Sequence, residues 1–259
     1  MQDKIVLITG STSGIGLEIA KHFAMLKAKI IINGLEGKDI VEKVTAELKS
    51  LGAADILYHP ANLAKPEEIV QMFEEVTRKY GKLDILVNNA GIQFVSPIEN
   101  FPDDKWEAII RINLISSFYT IKHAVPMMKK NGWGRIINIC SSHALVASPF
   151  KSAYVSAKHG LLGLTKTVVL EVAEHNITVN AICPGYVKTP LVMNQIADTA
   201  KARNMTEEAV IRDVILAAQA TKKFVEIDEI ANLVLFLCDE KAGSITGVPL
   251  TIDGGWTAH

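Results

Sequence analysis

The sequence predicts an α/β fold: a doubly wound, seven-stranded parallel sheet with helices covering both faces. Three observations carry that expectation. Short β-branched runs alternate with longer amphipathic stretches along the chain, the pattern left by repeated strand–helix crossovers. Several runs, such as Ile5-Val6-Leu7-Ile8, are continuously apolar rather than alternating, as a strand covered on both faces requires. The first run also ends in a glycine-rich turn that opens directly into a helical pattern.

Taken in order, strands are expected at 4–9, 29–33, 55–59, 83–87, 134–139, 177–182 and 248–252. Amphipathic helices are expected near 15–27, 38–51, 66–80, 103–129, 152–174 and 227–237. No repeat, low-complexity tract or linker interrupts them, so residues 1–259 read as one domain. The irregular stretch is 185–222, after Cys183-Pro184-Gly185, which is polar and contains methionine and helical segments but no strand. Ligands of doubly wound sheets bind outside the carboxyl ends of the strands. A long excursion after a late strand is therefore a candidate lid, with a plain surface insertion as the other reading.

Composition narrows the function. The chain is 49% hydrophobic and 21% charged, with a formal net charge of -1 and dispersed basic residues. That balance speaks against nucleic acid or an anionic membrane as partner. The first residues run straight into a strand pattern, and no apolar run approaches the roughly 20 residues that span a bilayer. A cytoplasmic protein is expected. Cys140, Cys183 and Cys238 are widely spaced in apolar stretches and read as buried thiols, without disulfide or metal roles.

Two motifs carry chemistry. The turn Gly10-Ser11-Thr12-Ser13-Gly14-Ile15-Gly16 lies between a strand and a helix, where glycines permit close backbone approach and the helix N-terminus meets a pyrophosphate. Further on, Tyr154 and Lys158 share a helix face. A fixed cation beside a phenol stabilises phenolate, as a base taking a proton from an alcohol requires. Ser141 emerges after the apolar strand Ile136-Ile137-Asn138-Ile139. Asn113 sits in an apolar helical run, where a buried amide needs partners and can distort the helix.

The Gly-x-x-x-Gly-x-Gly spacing resembles that of the short-chain dehydrogenase/reductase family, as do Asn88-Asn89-Ala90-Gly91, Asn113, Ser141, Tyr154, Lys158 and Pro184-Gly185. The resemblance covers essentially the whole chain and implies a Rossmann-type fold. It implies Tyr154 as acid/base, Lys158 stabilising its phenolate and touching the nicotinamide ribose, Ser141 on the substrate oxygen, and Asn113 holding a relay water. Cofactor contacts are implied at the glycine turn, Gly34, Leu35, Asn62, Leu63, Asn89, Ala90, Gly91, Pro184, Gly185, Val187 and Thr189. NAD is the expected coenzyme. Glu36 follows the second strand, no Arg precedes Arg78, and Lys38 is the nearby cation.

The segment from Ser141 through His143 and Lys151 to Tyr154 is similar to that of the D-3-hydroxybutyrate dehydrogenase branch. So are Gly91-Ile92-Gln93, Pro190-Leu191-Val192 with Gln195, and Gly254-Gly255-Trp256. By that resemblance Gln93, His143 and Lys151 hold a small carboxylate, Gln195 and Trp256 close over it, and Tyr186 lines the methyl end. A Lys, a His and amides converging suit such an anion. A reductase of other 3-oxo or cyclic ketones, or a non-catalytic NAD(H) sensor, are the alternative readings. A homotetramer is expected from the family. Helix 152–174, with Leu161, Leu162, Leu164, Val168 and Val169, and the Gly243–Ile252 region are the expected contact surfaces.

Overall fold

The computed structural model describes residues 1–189, 192–193, 196–197, 200 and 204–258. Among them run strands β1 (Ile5–Ile8), β2 (Lys29–Asn33), β3 (Asp55–His59), β4 (Ile85–Asn88), β5 (Gly134–Ile139), β6 (Ile177–Pro184) and β7 (Pro249–Ile252). They form one all-parallel sheet in the order β3-β2-β1-β4-β5-β6-β7. The strand order reverses between β1 and β4, which opens a crevice at their carboxyl ends. Helices α1 (Gly14–Met25), α2 (Lys38–Ser50), α3 (Pro66–Tyr80), α4 (Asp103–Ile110), α5 (Ser116–Asn131), α6 (Ser152–Val172), α7 (Glu207–Val210) and α8 (Ile227–Cys238) complete the layers.

Each central strand feeds two cores. Val6 and Ile8 face one core with Ile19, Phe23, Leu48 and Val234 from α1, α2 and α8. Ile5 and Leu7 face the other with Met72, Phe73, Ile121 and Val172 from α3, α5 and α6. Side chains alternate across a strand, so an apolar face on both sides reads as an unbroken apolar run. The three cysteines are free and buried.

The helix expected at 103–129 is interrupted. Residues Arg111–Ile115 form a π-turn between α4 and α5, with Asn113 buried inside it. The apolar residues expected to be left over on α6 are mostly used within the chain. Leu161, Leu162, Val168 and Val169 are buried against the sheet side, whereas Leu170 stays 86% exposed.

A buried polar chain ties the carboxyl ends of β4 and β5 to the helices above them. Asn88 Nδ2 donates to Asn138 Oδ1 at 2.8 Å, and Asn138 Nδ2 donates to Thr165 Oγ1 at 2.8 Å. Thr120 Oγ1 donates to Asn88 Oδ1 at 2.6 Å. All four side chains are buried, so breaking one link orphans several groups at once. Asn138→Ala should therefore lower unfolding free energy by about 2–3 kcal/mol. A lowered urea midpoint at unchanged denaturant slope would record it.

Candidate active site

The turn after β1 is shaped by what it must approach. Gly10 and Gly14 adopt left-handed backbone at φ 60° and 56°. A side chain at Gly16 would overlap the Gly10 carbonyl and the Asn89 amide. Asn89 Nδ2 donates to the carbonyls of Thr9 and Gly10 at 3.0 and 2.9 Å. The Thr9 hydroxyl accepts from the N–H groups of Asn89 and Ala90 at 3.0 and 3.1 Å. Asn33 braces the turn from the other side, accepting from the Gly10 N–H at 3.3 Å and donating to the carbonyls of His59 and Ala61. Ser11 is fully buried, its hydroxyl donates to Ile8 O and its N–H donates to the Asn33 carbonyl at 2.8 Å, so neither donor is left for a ligand.

These residues fit a dinucleotide. Ser13 makes no side-chain bond to the first turn of α1, whose leading N–H groups have no partner within a helix. Nothing lies within 4 Å of the space above Gly14. An anion is favoured there by the unpaired donors and the helix dipole. At the far end of the crevice the Thr12 hydroxyl donates to the Glu36 carboxylate. Gly34 permits that bond, because a Cβ there would collide with both groups. Leu35 is 67% exposed. Asn62 uses its side-chain oxygen to accept from the Ala64 N–H at 3.0 Å. Leu63 packs its side chain into the core under α3, leaving its backbone alone for contact.

Beside this cradle lies a cavity of about 640 Å³ that brings together Ser141, Tyr154, Lys158, Gln93, His143 and Lys151. Ile15, Gly91, Gly185, Tyr186, Val187, Thr189 and Trp256 also line it. Lys158 is buried, donates to the Ile139 carbonyl at 2.7 Å, and sits 5.6 Å from the Tyr154 ring centre. The Ser141 hydroxyl accepts from the His143 N–H at 3.2 Å and lies 3.3 Å from His143 Nδ1. Ser142 does not compete with it: that side chain is fully buried and donates to the Pro184 carbonyl at 3.1 Å. Asn113 clamps the Gly91–Gln93 loop, with Oδ1 accepting from the Ile92 N–H and Nδ2 donating to the Ile92 carbonyl, both at 2.9 Å. A π-turn also takes a main-chain carbonyl out of the helical ladder, which is why such turns recur at functional sites.

The far wall is aromatic. Tyr186 and Trp256 stack at 5.5 Å and 5°, and His143 meets Trp256 edge-on at 5.0 Å. The hydrogen-bond partner of the Lys151 ammonium among the described residues is the Tyr186 hydroxyl, at 3.3 Å. His143 is expected among the carboxylate ligands, but both of its ring nitrogens already face hydroxyls, Ser141 and Ser148. Gln93 is exposed at the cavity mouth. Gln195, with Pro190 and Leu191, lies outside the described residues.

Three contributors escaped the sequence reading. Phe150 takes left-handed backbone at φ 66° and its carbonyl accepts from the Ser96 N–H at 2.9 Å. That conformation costs about 1–2 kcal/mol for a non-glycine residue, and it sets the direction in which Lys151 leaves the chain. Asp253 accepts from the N–H groups of Gly255 and Thr257 at 3.0 and 2.9 Å, holding the turn that carries Trp256. An Asp-Gly-Gly run signals such a turn. Gln219, fully buried, accepts from the Tyr186 N–H; nothing in its local sequence marks it.

A dinucleotide cradle at the sheet's switch point, set against a hydroxyl, a phenol and an ammonium, defines an oxidoreductase working on an alcohol or its ketone with a nicotinamide dinucleotide. The chain belongs to the short chain dehydrogenase family, which matches residues 4–200. It is 56% identical to the D-beta-hydroxybutyrate dehydrogenase of Rhizobium meliloti, over 99% of both chains. It is 47% identical to the D-beta-hydroxybutyrate dehydrogenase of Cupriavidus necator, over 100% of both. Among solved structures, the L-sorbose reductase of Gluconobacter frateurii, complexed with NADPH and L-sorbose, superposes with a TM-score of 0.93 at 30% identity. That match covers 100% of this chain and 98% of the reductase.

Burial, and after it the positive charges of Lys151 and His159, pushes the His143 imidazole down to about 4. At pH 7 the ring is neutral, with one N–H to place between Ser141 and Ser148. The unfolded chain binds this proton near the usual 6.5, whereas the folded chain resists it down to about 4. The contribution to stability is thus complete above the unfolded value and fades as pH falls through that window. Melting temperature followed by scanning fluorimetry should decline more steeply between pH 6.5 and 4 in the wild type than in His143→Gln. Parallel curves would contradict the assignment.

Proposed function

We propose that this protein interconverts D-3-hydroxybutyrate and acetoacetate with NAD as coenzyme. The observation that carries the reading is the polarity of the cavity. Lys151 offers an ammonium at one side, and the stacked Tyr186–Trp256 pair offers an apolar wall beside it. Ser141 and Tyr154 share that cavity. A four-carbon acid with a charged end, a methyl end and an oxygen between them suits this layout. A large apolar substrate would leave the Lys151 charge desolvated and unpaired.

The residues divide the work as follows. Lys151 and Gln93 take the carboxylate, and Tyr186 and Trp256 pack the methyl end. With the His143 proton on Nδ1, the Ser141 oxygen accepts from the ring and keeps its own proton for the substrate oxygen. Tyr154 takes the hydroxyl proton in oxidation and returns it in reduction, with its phenolate stabilised by Lys158. Asn113 holds the Gln93 loop, and a main-chain carbonyl of its π-turn supports a relay water. Gly14, Ile15, Gly91 and Val187 would hold the nicotinamide, which when bound would supply the hydride chemistry.

For the coenzyme, the Glu36 carboxylate beside Thr12 would repel a 2′-phosphate and suit a ribose hydroxyl. Lys38 is turned toward Glu42, at 3.6 Å, rather than toward the crevice. The buried free thiols agree with a reducing, cytoplasmic setting. We assign the segment 185–222 as the substrate lid. For assembly the reading is a homotetramer. It is supported by the exposed apolar side chains Trp106 and Phe118 on α4 and α5, Leu170 on α6, Phe236 on α8, and Val248 just before β7.

The decisive assay measures initial rates for D- and L-3-hydroxybutyrate with NAD and NADP separately. Turnover confined to the D-acid with NAD is the expected result. Equal rates with uncharged ketones would favour a broader reductase, and NADH binding without turnover of any hydroxy acid would favour a sensor. Lys151→Met should raise the KM for the acid about tenfold or more, the scale of one lost charge-assisted contact, and leave NADH affinity alone. Tyr154→Phe should abolish turnover while a fluorescence titration still registers NADH binding.

A further inference from the structure

We propose that Gln219 is a positioning residue for substrate. It sets the aromatic wall of the cavity and ties that wall to the returning arm of the 185–222 segment. The inference rests on the reading above, in which Tyr186 and Trp256 face the substrate.

Gln219 is 0% exposed, yet it lies in an irregular stretch between the π-turn Ile211–Ile215 and α8. Both ends of its amide are engaged. Oε1 accepts from the Tyr186 N–H, and Nε2 donates to the Lys223 carbonyl at 2.6 Å. The side chain is wedged between two glycine turns. A Cβ at Gly185 would fall 2.5 Å from Gln219 Oε1, and one at Gly254 would fall 3.2 Å from Gln219 Nε2. These turns precede Tyr186 and Trp256, whose rings stack at 5.5 Å. One amide therefore spaces the two backbones that hold the wall.

Main-chain bonds continue the brace. The Thr221 N–H donates to the Gly254 carbonyl at 3.0 Å, and the Val225 N–H donates to the Tyr186 carbonyl at 2.9 Å. Lys222, in left-handed backbone at φ 52°, sends its ammonium back to the Leu216 carbonyl at 3.2 Å and also to that of Ala217. The arm 216–225 is thus laced to both turns at once. A displacement of either turn would move the ring it carries, and with Tyr186 the hydroxyl that holds Lys151.

The test uses the full-length protein and two variants. Gln219→Met keeps the volume and removes both polar contacts. Gln219→Asn keeps both the acceptor and the donor on a side chain one methylene shorter. The first readout is substrate-independent: the near-UV circular dichroism that Trp256→Phe removes should be diminished in Gln219→Met and partly restored in Gln219→Asn. The second is kinetic. KM for D-3-hydroxybutyrate should rise about ten- to a hundredfold in Gln219→Met, the scale of an ångström's misplacement. It should rise less in Gln219→Asn, with NADH affinity unchanged in both.

An unchanged Trp256 signal would overturn the proposal whatever the substrate. A changed signal with unchanged KM would show that Gln219 sets a wall that does not face substrate. Parallel loss of NADH affinity would reduce its role to holding the fold. Should Gln219→Met not fold, the comparison of Gln219→Asn with the wild type carries the same decisions. Absence of wild-type turnover with the acid would instead sink the functional reading and leave the dichroism arm standing.

Discussion

A buried ammonium sets the terms for the rest of this molecule. Lys158 is 3% exposed and held by the carbonyl of Ile139 at 2.7 Å. Removing such a charge from water costs several kcal/mol unless its protons find partners. The carbonyl it needs belongs to the last residue of β5, so the charge is tolerable only if that strand end and α6 keep their spacing. The neighbouring hydrogen bonds serve that spacing. Asn138 joins β5 to α6 through Thr165, and Asn88 joins it to β4. Ser142 then ties the chain just past β5 to the end of β6 through Pro184. Ser141 leaves the sheet between two fixed points, which is what a donor aimed at one substrate oxygen requires.

The architecture was legible because it rests on local patterns. Unbroken apolar runs such as Ile30-Ile31-Ile32 leave a strand no polar face, and only a doubly covered sheet accommodates that. The glycine turn, Ser141, Tyr154 and Lys158 were legible because their spacing follows from one turn and one helix. The π-turn was partly legible. A buried Asn within an apolar helical run announces a local distortion, but its partner, the backbone of Ile92, lies in a loop that no periodicity places.

What local pattern does not place is made by contacts distant in sequence. Lys151, Tyr186 and Trp256 are expected at the site through the resemblance alone, because they meet only after β5, β6 and β7 lie side by side. Gln219 reaches Tyr186 across 33 positions, and Asn33 reaches the Gly10 turn across 23. Neither residue type is unusual in a surface loop, so nothing local distinguishes a buried brace from a solvated amide. His143 shows the converse difficulty. Its place beside Ser141 was evident, but its role depends on Ser148 occupying the other ring nitrogen, and only the folded loop supplies that.

The coenzyme crevice shows how a residue seemingly one position out of place can still act. Leu35 stands where an acid suited to a ribose would be sought, and its side chain projects to solvent. Glu36 turns back instead, and its carboxylate receives the Thr12 hydroxyl over Gly34. The glycine makes that return possible, since any Cβ at 34 would occupy the meeting point. A bulkier residue there would separate Thr12 from Glu36 and send the carboxylate outward, leaving the crevice without its fixed negative charge. The charge at that end of the crevice thus depends as much on the missing side chain at Gly34 as on the acid itself. The same logic governs the opposite edge of the sheet, where Gly185 and Gly254 admit Gln219 between them. At both ends of the site, a missing Cβ lets a polar side chain reach across and fix the geometry of a neighbouring turn.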